Sequence, residues 1–252
     1  VMLRNRRIGC SVSGVAQFIT NRGIDELRTW LEEGYDTIQE WDKEYSDWFA
    51  IPKSIKTTSV KPSGTVSLLA GATPGLHYPE SRFYTRRIRL SINSELVEPL
   101  KKAGYKIEPA YGSEDSTLVV EIPVDVGEGI RTASELTIWE QFSIAAFLQR
   151  HWADNQVSCT VTFDPEKEGE QIPHVLNYYQ YHLKGISLLP RHDYGAYKQM
   201  PYEAIEEKEY NKQVKKLGKL SFGVIKNEEA EVDKFCNNES CEIPGLNVEE
   251  NS

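Results

Sequence analysis

Between residues 24 and 49 apolar side chains recur at threes and fours: Ile24, Leu27, Leu31, Tyr35, Ile38, Trp41, Tyr45 and Trp48, with charges between them. That period predicts an amphipathic helix entered through residues 21–25. The same spacing returns over 137–152 through Ile138, Phe142, Ala145, Ala146 and Leu148, and predicts a second helix. Val157, Cys159, Val161 and Phe163 alternate strictly, which predicts a strand over 155–163 with one face buried. Further strands are predicted over 82–92, over 117–123 closed by Pro123, and over 185–190. Two more helices are predicted, over 96–103 stopped by Gly104, and over 171–182. Pro62, Gly64, Gly71, Pro74 and Gly75 punctuate 59–75 around the apolar run 66–70, so this segment reads as loop, short helix, loop. Strands separated by helices imply an α/β body with partly parallel pairing.

After about residue 204 the pattern changes. Charge dominates 203–209 and 212–219, and 228–233 is acidic, so residues 226–252 read as a solvated tail on a body formed by 1–225. With 252 residues, 39% of them apolar, the body is large enough to bury a core. No apolar run approaches the roughly 18 residues that a membrane helix needs, and no apolar segment follows the charges of Val-Met-Leu-Arg-Asn-Arg-Arg to make a signal peptide. A cytoplasmic location is the default expectation. The net charge of −9 argues against non-specific attraction to nucleic acid or anionic lipid. The opening at Val1 reads like the interior of a domain, which predicts a fragment, a split gene product or a trimmed chain.

Two segments carry candidate chemistry. In Lys61-Pro62-Ser63-Gly64-Thr65-Val66-Ser67-Leu68-Leu69-Ala70-Gly71, glycine and hydroxyl residues directly precede a helical run. Unpaired N–H groups at a helix N-terminus attract an anion, hydroxyls add donors, and Gly64 admits close backbone approach, so the segment has the composition of a phosphate cradle. An ordinary N-cap by Ser63 or Thr65 explains the same residues. A Walker A ending is absent. The second segment is Cys236-Asn237-Asn238-Glu239-Ser240-Cys241, in the charged tail with no core to stabilise. Two thiols at this spacing reach disulfide distance by a simple turn, and exposed vicinal thiols are the labile ones, so a redox couple is expected. A zinc half-site lacks two further ligands nearby; inert surface thiols remain the plain alternative. Cys159, on the buried face of its strand, and Cys10, beside Gly9, read as packing residues. The five histidines show no metal-ligand spacing, and no metal site is expected. Arg82, Arg86, Arg87 and Arg89 suit either a polyphosphate or ion pairs on a strand face. Tyr178, Tyr179 and Tyr181 read as core aromatics.

Taken in order, Asn5-Arg6-Arg7-Ile8-Gly9, the segment from Lys61 to Gly71, residues 155–163, Ser187-Leu188-Leu189-Pro190 and the Cys236/Cys241 pair resemble the C-terminal part of the monomeric, adenosylcobalamin-dependent (class II) ribonucleoside-triphosphate reductases. The resemblance covers essentially the whole chain. It implies an α/β fold that is the second half of a ten-stranded α/β barrel, followed by a flexible C-terminal tail. It also implies thiyl-radical chemistry: cobalamin Co–C homolysis generates a cysteine radical, which abstracts the ribose 3′-hydrogen, and a barrel dithiol reduces the 2′-position. By position, Ser63, Gly64, Thr65, Val66 and Ser67 would hold the substrate phosphates. Cys236 and Cys241 would match the tail dithiol that takes electrons from a thioredoxin-like reductant. The radical cysteine and the barrel dithiol belong upstream of this sequence, so the implied partners are a ribonucleoside triphosphate, the reductant and the missing N-terminal portion; alone the chain is expected to be inactive. Cys10 stands where the family has an apolar residue and is not promoted to a catalytic thiol. The large subunit of a two-protein, metal-radical reductase is the alternative within enzymes, and a non-catalytic nucleotide-binding remnant is the alternative outside them.

Overall fold

The computed structural model describes residues 6–64, 66–191 and 198–221. Its contacts divide the chain into two units, residues 1–82 with 126–193, and residues 83–125 with 194–252. Among the described residues no helix is long and apolar enough to cross a membrane.

In the first unit, strand β1 (Arg7–Ser11) leads into helix α1 (Val15–Arg22) and the long α2 (Ile24–Trp48). Strand β2 (Lys56–Ser59) then pairs with β1 in parallel, with Ser11 opposite Ser59. A one-turn helix α3 (Val66–Leu69) comes next. After the second unit's insertion come α5 (Ile138–His151), β6 (Thr160–Phe163), α6 (Pro165–Glu168), α7 (Ile172–Tyr179) and β7 (Ser187–Pro190). Strands β6 and β7 are parallel, with Thr160 opposite Ser187. A single parallel bridge, Val60 to Val157, joins the two pairs. The connections between the parallel strands carry helices, as such crossovers require.

Helix α5 starts where the sequence says it should, because Thr137 and Glu140 form a reciprocal capping box. It drives Ile138, Phe142, Ala145 and Leu148 into a core shared with Leu27, Leu31, Val60, Val157, Val161 and Val175, all of them buried. Helix α2 obeys its predicted period only in part. Leu27 and Leu31 are buried, whereas Trp41, Tyr45 and Trp48 at the far end of the same stripe are exposed; Trp41 stacks on Tyr45, and Trp48 meets Tyr45 edge to face, each pair with centroids 5.2 Å apart. Periodicity located the helix but not the point at which its apolar stripe leaves the core.

A turn after α5 fastens this core to β2. The Asp154 carboxylate accepts bonds from the Tyr35 hydroxyl (3.0 Å), the Thr57 N–H (3.1 Å) and the Thr57 hydroxyl (3.0 Å). The Trp152 indole N–H donates to Ser59 O at 2.9 Å. Asn155 donates its backbone N–H to Thr58 O and its side-chain amide to both Thr58 O and Ile8 O, each at 2.9 Å. The strand predicted over 155–163 is therefore regular only from Thr160; before that, its backbone serves as this clamp.

The second unit is an antiparallel sheet ordered β4-β5-β3-β8, formed by β3 (Phe83–Ser91), β4 (Lys106–Pro109), β5 (Thr117–Asp125) and β8 (Tyr202–Ala204), with helices α4 (Val97–Lys102) and α8 (Glu207–Val214). Strand β5 runs past Pro123, the residue expected to close it. Strand β4 begins at Lys106, opposite Glu121, so Pro123 faces a partner, Thr85, on one side only, an edge-like position that tolerates proline. Leu90, Val97, Leu100 and Val120 form this unit's own small core. Its antiparallel pairing was not foreseen from the alternation of elements.

Replacing Asp154 by Ala removes three acceptances and strands the Thr57 and Tyr35 donors, so it is expected to cost about 2–4 kcal/mol, while Asp154→Asn, which keeps one acceptor, costs roughly half as much. Urea denaturation of the two variants measures this; equal stability of wild type and Asp154→Ala would refute it.

Candidate functional site

Because β1 and β2 are parallel and in register at Ser11 and Ser59, both present their carboxyl ends at the same edge of the sheet. The segments that leave those ends, 12–14 and 60–75, are rich in hydroxyls and glycine and meet there. The Lys61 N–H donates to Ser11 Oγ at 3.0 Å, and Ser13 Oγ and Ser63 Oγ lie 2.8 Å apart in a hydrogen bond. Ser13 Oγ also accepts the Gly75 N–H at 3.2 Å. Gly14 and Val15 donate their N–H groups to Thr73 O and Gly75 O. Gln17, on the first turn of α1, accepts from the Thr73 N–H and hydroxyl, both at 2.9 Å, and donates to Gly71 O at 3.0 Å. Gly75 must be glycine at this junction: its φ is +53°, and a Cβ would sit 2.8 Å from Lys61 O.

Within the sequence-predicted cradle, Ser63 and Gly64 stand at this edge, and Thr65 lies outside the described residues. Val66 is exposed, whereas Ser67 is buried with its hydroxyl donating to Ser63 O. Helix α3 spans only four residues, too few peptide dipoles to sum to a strong field. Two N–H groups expected to be free are used inside the turn, Gly64 to Pro62 O at 3.1 Å and Ser67 to Ser63 O at 3.3 Å. The loop thus offers an anion the Ser63 hydroxyl and the close approach that Gly64 permits, more than a helix dipole. The bracing segment, Ser11 to Gln17, was not singled out in the sequence. Its signal was Ser-Val-Ser-Gly directly before an apolar helical period, the same composition as the loop it touches.

Behind the loop, His77 bridges to β6. Its Nε2 accepts the Thr160 N–H at 3.2 Å, which leaves Nδ1 as the donor facing Pro74 O at 3.3 Å. Burial pushes its pKa below the ordinary 6.5, so the ring is held neutral in this role. A cavity of about 40 Å³, room for a single water, lies between His77, Cys159, Thr160 and Thr162.

The thiols separate clearly. Cys159 is buried, as its period predicts, and burial pushes its thiol up to about 12. Cys10, expected to pack, is exposed, because every residue of the edge strand β1 stands open. Cys236 and Cys241 lie outside the described residues. Among the described residues no group of three His, Cys, Asp or Glu side chains is placed to hold a metal ion. The basic stretch is engaged within each unit. Arg87 pairs with Glu121 at 2.9 Å and with Glu203, Arg86 lies over the Tyr202 ring at 4.3 Å, and Arg82 pairs with Glu128 at 3.4 Å. Tyr179 packs on Phe142, but Tyr178, on a helix that buries only Val175 fully, and Tyr181, in the turn after it, both expected in the core, are exposed.

Comparison with solved structures defines the class. The chain superposes on a crystal structure of a B12-dependent (class II) ribonucleotide reductase with a TM-score of 0.74 and 33% identity, over 86% of this chain and 34% of that one. No family model matches the sequence. The adenosylcobalamin-dependent ribonucleoside-triphosphate reductase of Euglena gracilis is 56% identical over 246 residues, which is 96% of this chain and 34% of the relative. A protein described as a probable enzyme of the same kind in Dictyostelium discoideum is 56% identical over 99% of this chain and 33% of its own length. The counterpart in Levilactobacillus brevis is 37% identical over 82% of this chain. Over nearly its whole length the chain is similar to adenosylcobalamin-dependent ribonucleoside-triphosphate reductases, and it spans about a third of the length of these relatives.

The contrast between Cys10 and Cys159 is testable by alkylation of the native chain with iodoacetamide at about pH 8, then peptide mapping. Cys10 should be modified and Cys159 protected until denaturant is added; rapid native labelling of Cys159 would contradict its burial.

Proposed function

We propose that this chain supplies the substrate-phosphate loop and the electron-delivering tail of a ribonucleoside-triphosphate reductase that makes 2′-deoxyribonucleotides by thiyl-radical chemistry. The observation that carries the reading is the meeting of two hydroxyl- and glycine-rich segments at the carboxyl ends of parallel strands β1 and β2, the edge at which α/β sheets bind ligands. In this reading the body is the second half of a ten-stranded α/β barrel, and the remaining two thirds of the relatives' length carry the radical cysteine and the barrel dithiol.

At the loop, Ser63 donates to a phosphate oxygen of the ribonucleoside triphosphate. Gly64 lets the backbone come close, Thr65 and Val66 continue the contact surface, and Ser67 fixes the turn through its bond to Ser63 O. At the tail, Cys236 and Cys241 reduce the barrel disulfide that each turnover leaves. One thiolate attacks it, a mixed disulfide forms, and the second tail thiolate resolves that bond. Two electrons have then moved, and the tail holds the disulfide, which a thioredoxin-like reductant reduces in turn. The whole enzyme is cytoplasmic in this reading.

Adenosylcobalamin, in the names of the relatives, is the radical source we assign to the complete enzyme; it supplies a carbon radical by Co–C homolysis. No step at this chain's residues is routed through the cofactor.

The test uses the complete enzyme. Turnover should require adenosylcobalamin, and Cys236→Ser or Cys241→Ser should abolish multiple turnover with the reductant while sparing a single turnover from prereduced enzyme. Reduction driven by an iron or manganese partner subunit without corrinoid would transfer the chain to the two-protein class. Equal loss of single and multiple turnover would make the pair structural, and nucleotide binding without turnover would leave the non-catalytic reading.

A further inference from the structure

We propose that Ser13 and Gln17 are positioning residues for the substrate triphosphate, an inference that rests on reading Ser63 to Ser67, within the segment 61–71, as the phosphate loop. Both act through the loop, Ser13 at Ser63 and Gly75 and Gln17 at Gly71 and Thr73.

Ser13 sets the direction in which Ser63 donates. A hydroxyl has one proton and two acceptor sites. Ser13 Oγ accepts the Gly75 N–H at 3.2 Å and shares the 2.8 Å bond with Ser63 Oγ. Either hydroxyl can donate in that bond; in the proposed arrangement Ser13 gives its proton to Ser63, and the Ser63 proton is left for an acceptor outside the loop. A phosphate oxygen, which only accepts, is the matching ligand. Without Ser13, the Ser63 hydroxyl is free to rotate and to satisfy itself elsewhere.

Gln17 sets the position of the loop's far end. Its one amide group makes three hydrogen bonds, accepting from the Thr73 N–H and hydroxyl and donating to Gly71 O. Gly71 closes the short helix that begins at Val66, and its φ of +64° makes this the point where the chain reverses. Between them, Ser13 and Gln17 fix the entry of the loop at Ser63 and its exit at Gly71 to Gly75 onto a single rigid segment, the start of α1. A donor held in this way need not be ordered when the ligand arrives, so its loss weakens binding more than chemistry.

Steady-state kinetics of the full-length reductase carrying Ser13→Ala, Gln17→Leu or Ser63→Ala tests this, with KM and kcat for the ribonucleoside triphosphate and KM for the dithiol reductant measured on each. Ser13→Ala and Gln17→Leu should each raise the triphosphate KM on the order of tenfold, leave kcat within about twofold and leave the reductant KM unchanged. Ser13→Thr, which restores the hydroxyl, should return the KM toward the wild-type value. Should Gln17→Leu not fold, Gln17→Glu keeps the acceptances from Thr73, loses the bond to Gly71 and should raise KM by a smaller factor. An unchanged KM in the Ser13 and Gln17 variants, with a raised KM in Ser63→Ala, would overturn the positioning role alone. A parallel fall in kcat with no rescue by Ser13→Thr would also overturn it, by making the bonds merely structural. An unchanged KM in Ser63→Ala would remove the phosphate-loop reading itself, and this inference with it.

Discussion

The first unit depends on the attachment of β2 to the turn after α5. A four-residue parallel strand has little stability of its own, and its N–H and C=O groups need partners along both edges. β1 pairs along one edge; the turn after α5 meets the other through the Asn155 and Ser158 N–H groups, which donate to Thr58 O and Val60 O, and Asp154 and Trp152 add bonds to the Thr57 N–H and to Ser59 O. The Asp154 carboxylate and the Trp152 indole make this edge partly a side-chain one, and hydrogen bonds to charged groups are the stronger kind. Val60 and Val157 then close the parallel bridge in the core, both fully buried.

That clamp sets the position of the loop. Val60 is fixed, so Lys61 and Ser63 leave the sheet at a defined point, and β1, held through Asn155 and Ile8, delivers Ser11 and Ser13 to the same place. His77 returns the chain to β6 as a neutral bridge, a role that burial enforces by disfavouring its charged form. The loop is therefore fastened at its start by β2, along its length by the segment 11–17, and at its end by β6. A candidate phosphate site with so short a helix gains its order from these attachments and not from the helix.

Much of this was legible in the sequence where a single period governs burial. The helix 138–151 and the strand 83–91 lie within a residue or so of their expected limits, and Cys159 is buried on the predicted face. Composition marked the Ser63 to Ser67 segment only as a candidate phosphate cradle. The features that escaped depend on partners distant in sequence. The exposed Trp41, Tyr45 and Trp48 continue a perfect helical stripe, yet burial ends halfway along it. Cys10 and Tyr181 looked like packing residues by type, but an edge strand and the turn after a short helix leave them open. Ser13 and Gln17 gain their meaning only when β1 is set beside β2, and Asn155 reads as a strand residue until its amide is seen to bridge two strands.

Native-state amide hydrogen exchange tests the clamp most directly, because each backbone bond reports its own opening. The amides of Thr57, Asn155 and Ser158, which donate into the β2 junction, should exchange as slowly as those in the middle of α5 and by the same global opening. Exchange of these three at the rate of exposed loop amides, while α5 stays protected, would show that β2 opens independently and would contradict the dependence of the first unit on this clamp.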